Sequence, residues 1–167
     1  MGLNGKIICK IVISLLTLGV MGFIFEMSAM NANESSKLST SVGYTVGEIV
    51  LKDFDEMPQK QQEDFVLRIE HPLRKMAHFT EFSALGFLLL LDVSLYTELA
   101  GAKRFVLAAV IGLLYAASDE MHQLLVSGRS GEFVDVMIDV SGVILGCIAA
   151  CIIMAVMKVL YPNKSDD

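Results

Sequence analysis

Four apolar runs, each near the roughly 20 residues that a helix needs to cross a hydrocarbon layer about 30 Å thick, constrain this chain more than any other feature. They cover residues 7–25, 76–96, 104–125 and 133–160. Lipid offers no hydrogen-bond partner to a peptide group, so each run is expected to be helical. With 54% hydrophobic and 19% charged residues over 167 positions, the chain is too apolar for an ordinary soluble domain and runs against the signature of disorder. A net charge of -6 leaves no basic field for a phosphate backbone, so nucleic acid is not an expected partner. Cys9, Cys147 and Cys151 lie inside the apolar runs without zinc or disulfide spacing, and read as packing residues.

The first run opens with Lys6 and Lys10. Its rival reading is a cleaved signal peptide, but the residues after Phe25 match a cleavage site poorly, and a retained anchor is expected. Lys6, Lys10, Lys103, Arg104, Lys158 and Lys164 mark one side as cytoplasmic, with both termini on it. Arg74 and Lys75 fall on the outer side against that rule, and cations kept there suggest a local task. The expected fold class is all-α, an integral membrane protein with four transmembrane helices and an extracytoplasmic amphipathic helical segment. The expected organisation is an anchor at 1–30, the amphipathic segment at 31–72, a three-helix membrane core with a polar pocket at 73–161 and a cytoplasmic tail at 162–167.

Within the acidic stretch 26–71, Leu38, Val42, Val46, Ile49, Val50 and Phe54 recur at helical spacing. An interfacial helix and ordinary packing on the other helices are equally good readings of that stripe. In the last run Gly142, Gly146 and Ala150 place small residues on one face, which predicts a close helix-packing seam within the chain.

Alternating spans bring scattered polar residues to one end. The second helix enters with Arg74, Lys75, His78 and Glu81; the third ends with Asp119, Glu120, His122 and Gln123; the fourth enters with Asp135 and Asp139 after a loop bearing Arg129 and Glu132. Ionisable groups within a membrane cost at least about 2.5–3.5 kcal/mol each, so these must pair, hydrate or bind something.

The strings Arg74-Lys75-Met76-Ala77-His78-Phe79-Thr80-Glu81-Phe82, Ser118-Asp119-Glu120-Met121-His122-Gln123 and Gly128-Arg129-Ser130-Gly131-Glu132-Phe133-Val134-Asp135-Val136-Met137-Ile138-Asp139 resemble the VanZ-like family. The resemblance covers roughly residues 39–146, and the ordered set is far more specific than any one motif. It implies a bacterial multi-pass envelope protein, of a family named for a member associated with low-level resistance to the glycopeptide teicoplanin, and it implies no settled reaction. The sequence departs from the family pattern at Asp139, where an Asn is common, and at Glu81, where many relatives carry an aromatic residue.

Each polar group admits a functional and a plainer role. His78 with Asp119 and Glu120 offers an imidazole and two carboxylates, a set suited to zinc or manganese; the lack of a His-x-x-x-His or Glu-x-x-His pair favours a buried, charge-paired histidine instead. No cofactor is named by the spacing. Lys75 and Arg129 suit a phosphate or carboxylate clamp, or equally salt bridges to Asp119, Glu120 and Asp135. If the chain is an enzyme, Glu120, Asp119 and His78 are the candidate catalytic groups for hydrolysis near a phosphate, and Lys75, Gln123, Arg129 and Asp135 the candidate ligand-binding groups. The expected partners are membrane lipids or a lipid-linked cell-wall component, bound in a pocket that faces outward. The alternative is a non-catalytic module whose charges form a structural network. Asp92 reads as a lone acid, and His71, His122 and Glu132 receive no role.

Overall fold

The computed structural model describes residues 3–129 and 131–161. The expected tail, 162–167, and Ser130 of the third motif lie outside the described residues. Among the described residues the chain is entirely helical: α1 (Leu3–Ala29), α2 (Ala32–Val50), α3 (Gln59–Tyr96), α4 (Gly101–Gln123) and α5 (Phe133–Leu160), with a single 3-10 turn at Phe54–Glu56. Helices α1, α3, α4 and α5 are long and apolar enough to cross a membrane. Their outward faces carry large apolar side chains such as Leu15, Leu114 and Ile152, all exposed, as lipid-facing surfaces require.

The α3–α5 pair forms the spine. Gly142 and Gly146 of α5 lie against the backbone of α3 at Phe79 and Ser83, and Gly86 of α3 lies against the backbone of α5 at Val143. Any Cβ at these positions meets main-chain atoms that cannot move aside, so glycine sets the interhelical distance. The seam expected from Gly142, Gly146 and Ala150 is therefore formed within the chain, and it closes on Phe82, Leu85, Leu90, Val143 and Cys147. Cys147 is buried there, its thiol 3.3 Å from the Gly86 carbonyl oxygen, while Cys151 is exposed.

Helix α2 carries most of the amphipathic stripe. Asn31 caps it, accepting from the Glu34 amide while the Glu34 carboxylate accepts from the Asn31 amide. Its buried face is Ser35, Ser39, Gly43 and Gly47, and Gly43 packs on Val66 of α3. Ile49 and Val50 point away from the protein, Leu38 and Val42 are partly exposed along the edge that faces α3, and of the stripe only Phe54, in the 3-10 turn, is buried. The small, polar side packs and most of the apolar side is left exposed, which fits a helix at a membrane interface.

At 38 residues, α3 extends for about 57 Å at 1.5 Å per residue, well beyond a hydrocarbon layer of about 30 Å. It continues the second apolar run backwards through Pro72 into the polar stretch, and α2 packs on this added part at Val66. Asp92 is not the lone acid the sequence suggests: its two carboxylate oxygens accept from Ser14 Oγ at 2.9 Å and Thr17 Oγ1 at 2.5 Å, both on α1.

Candidate functional site

Because α1 and α4 end, and α3 and α5 pass or begin, at the same end of the bundle, the polar residues of four helices meet there. Ser28 near the end of α1 donates to Asp119 Oδ2 at 2.8 Å, and Gln123, one turn further along α4, donates to the same oxygen at 2.9 Å. Arg129, in the α4–α5 loop, donates from Nη1 to Gln123 Oε1 at 3.0 Å and from Nη2 to the Met27 carbonyl at 3.2 Å. The chain Ser28–Asp119–Gln123–Arg129–Met27 thus ties α1, α4 and the loop together.

The loop reaches this position through Gly128, whose φ of 78° lies in the left-handed region that favours glycine. Its neighbour Ser127 accepts from the Ala32 amide at 3.3 Å, which docks the loop on the start of α2. Arg129 makes no ion pair among the described residues. Burial, then the charge of Arg74, pushes its pKa down from the usual value, while the carboxylates of Asp119 and Glu120 pull it back up. An arginine stays charged under such opposing influences.

Lys75 takes the salt bridge that the sequence allowed it: its Nζ lies 2.6 Å from Asp135 Oδ1 and 3.8 Å from Glu132 Oε2. Glu120 is turned towards the loop, where Oε1 accepts from the Glu132 backbone amide at 2.6 Å. It holds the approach to α5 and is not among the residues lining the adjacent cavity.

That cavity, of about 180 Å³, is lined by Arg74, Lys75, His78, Arg129, Asp135 and Asp139 among others, including His71 and Gln123. A second hollow of about 130 Å³ shares Arg74, His78 and Arg129 with it and runs beneath α2, between Leu38, Val42, Leu73 and Ala77. A charged chamber and an apolar groove therefore meet at one wall.

Several polar atoms of the site are buried with no hydrogen-bond partner among the described residues: His78 Nδ1, Glu81 Oε2, Asp119 Oδ1, Glu120 Oε2 and Arg129 Nε. One ligand atom each from His78, Asp119 and Asp139 lies within 4.8 Å of the others. The convergent set thus contains Asp139, where the sequence suggested Glu120. Buried polar atoms are normally satisfied, so several left open beside one cavity call for water, an ion or a ligand there.

The sequence placed Asp119, Gln123, His78, Lys75, Arg129, Asp135 and Glu120 at one end of the bundle, and they are there. It missed Ser28, whose place beside Asp119 depends on how far α1 extends, and the Glu132 amide, which no side-chain pattern reveals. His122 stacks on Phe25 at 4.4 Å between ring centroids, away from the cavity lining.

The VanZ/LLP1 family model matches residues 13–154, most of the chain, and this multi-pass membrane protein belongs to that family. No curated protein and no solved structure matches it.

Proposed function

We propose that this chain is a bacterial cell-envelope protein that binds a phosphate-bearing, lipid-linked component at the outer leaflet and thereby lowers sensitivity to teicoplanin. The observation that carries this reading is the shared wall of the two hollows. Arg74, Lys75 and Arg129 line the charged chamber, and the groove under α2 continues from it between apolar side chains. An amphiphile with an anionic head and a long chain matches both halves at once: arginine supplies a bidentate fork and lysine a point charge for the head. The cations at 74, 75 and 129 lie at the end of the bundle opposite Lys10, Arg104 and Lys158, which supports an outward pocket.

The test is binding of a polyprenyl monophosphate against the corresponding free polyprenol, with full-length protein in detergent micelles. Saturable binding of the phosphate form, at least about tenfold tighter than the alcohol and lost in Arg129→Ala, is the expected result. Equal binding of both lipids, or binding indifferent to Arg129→Ala, overturns it.

The Ser28–Asp119–Gln123–Arg129 chain favours a second reading, a structural network without a ligand. Under it Arg129→Ala lowers thermal stability and no lipid is distinguished from another.

A further inference from the structure

We propose that His78, Asp119 and Asp139 bind one first-row divalent metal ion, of Zn²⁺ or Mn²⁺ type, at the floor of the charged cavity. The three residues come from α3, α4 and α5, so the site forms only when the bundle is assembled. One donor atom from each lies within 4.8 Å of the other two. Four-coordinate zinc with bonds of about 2.0–2.1 Å places its ligands about 3.3 Å apart, so an inward movement of about 1 Å closes the set.

Burial supplies the independent indication. Asp119 is 3% exposed and Asp139 2% exposed. Asp119 Oδ2 already accepts from Ser28 and Gln123, whereas its Oδ1 and the His78 Nδ1 are buried without any partner among the described residues. Asp139 makes no ion pair among those residues. Two carboxylates in a water-poor interior either take up protons or are met by a counter-charge. No nearby cation makes an ion pair with either acid among the described residues: Lys75 pairs with Asp135, Arg74 with Glu70, and the Nη atoms of Arg129 donate to Gln123 and Met27. A divalent cation cancels the two negative charges and gives the imidazole nitrogen an acceptor.

The donor chemistry selects the class of ion. One imidazole with two carboxylates is mixed nitrogen and oxygen, which disfavours Mg²⁺ and Ca²⁺ relative to borderline ions, and no thiolate is present to demand a softer one. Ser28 and Gln123 fix the Asp119 carboxylate by hydrogen bonds, the role that outer partners play at metal sites. His78 and Asp139 also line the cavity, so an ion held there keeps open positions towards whatever occupies it.

Chelator-stripped full-length protein in detergent is titrated with ZnCl₂ and with MnCl₂ by calorimetry, with no lipid added. The expected result is saturable binding of one ion per chain for at least one of the two, weakened more than about a hundredfold in Asp139→Asn and in His78→Ala, a loss beyond the 10–100-fold typical of outer partners. Asp92→Asn, at the other end of the bundle, leaves it unchanged. As a check that needs no variant to fold, wild-type protein loaded with Co²⁺ shows visible absorption bands of a nitrogen- and oxygen-ligated ion, bleached by added Zn²⁺. Absence of saturable binding, or saturable binding that persists in both folded variants because His71, His122 or a cysteine holds the ion, overturns the proposal.

Discussion

The molecule has two polar regions about 20 Å apart along α3, at 1.5 Å per residue between His78 and Asp92, and they are built in opposite ways. Around Asp92 both carboxylate oxygens accept from α1 hydroxyls, Tyr96 O–H lies 3.1 Å from Ser14 Oγ, and Lys10 sits 4.8 Å from the Tyr96 ring centroid. Every one of these groups finds a neighbour. Around His78, buried atoms of several residues are left open beside a cavity of about 180 Å³. Satisfied polarity inside a bundle fixes helix pairing; unsatisfied polarity beside a hollow is left to meet water, an ion or a ligand.

The largest effect should come from the element that both regions share. Gly146→Val drives a side chain into the Ser83 carbonyl at the α3–α5 seam, and its expected cost of more than about 3 kcal/mol should remove folded protein from detergent extracts, as read by size-exclusion profile. Loss of one region with retention of the other would break the common spine.

Replacing the acids one at a time should then give opposite signs. With divalent metal chelated, Asp139→Val should raise stability by about 1–3 kcal/mol, since it removes a buried carboxylate with no partner to lose. Asp92→Val should lower it by about 1–2 kcal/mol, since Ser14 and Thr17 of α1 lose their bonds to the carboxylate and keep only the Tyr96 hydroxyl and the Ile13 carbonyl. Unfolding in sodium dodecyl sulfate measures both, and a shared sign would erase the distinction between the two regions.

The smallest effect is expected at Ser28→Ala. Gln123 still donates to Asp119 Oδ2, so the expected loss is about 0.6 kcal/mol, the average for a hydrogen bond between membrane helices. A loss as large as that of Asp92→Val would place Asp119 with the satisfied acids.

The spans and the α5 seam were legible because long apolar runs and glycines four residues apart have few structural solutions in a bilayer. Helix α2 shows where that legibility ends. Its apolar residues, Leu38, Val42, Ile49 and Val50, stand out in the sequence, yet the face it buries is Ser35, Ser39, Gly43 and Gly47. These have the same four-residue spacing of small residues as α5, and hydropathy alone ranks such a face as the solvent side. The cluster formed by the middle of α3, the end of α4 and the start of α5 was legible from topology, because alternating apolar runs bring those segments to one side. Its partners were not: Ser28 reaches Asp119, and Ser14 reaches Asp92, through tertiary pairing of α1 with distant helices. Asp139 read as a departure from the family pattern and takes on meaning only with His78 and Asp119 beside it.

The most direct test of the claim that one polar region serves a ligand and the other serves packing is teicoplanin susceptibility in a sensitive bacterium expressing wild-type, Asp92→Asn or Asp119→Asn protein at matched membrane levels, with an empty-vector control. The account predicts equal protection by wild type and Asp92→Asn and none by Asp119→Asn. Protection by Asp119→Asn equal to wild type, or equal loss in both variants, would contradict it.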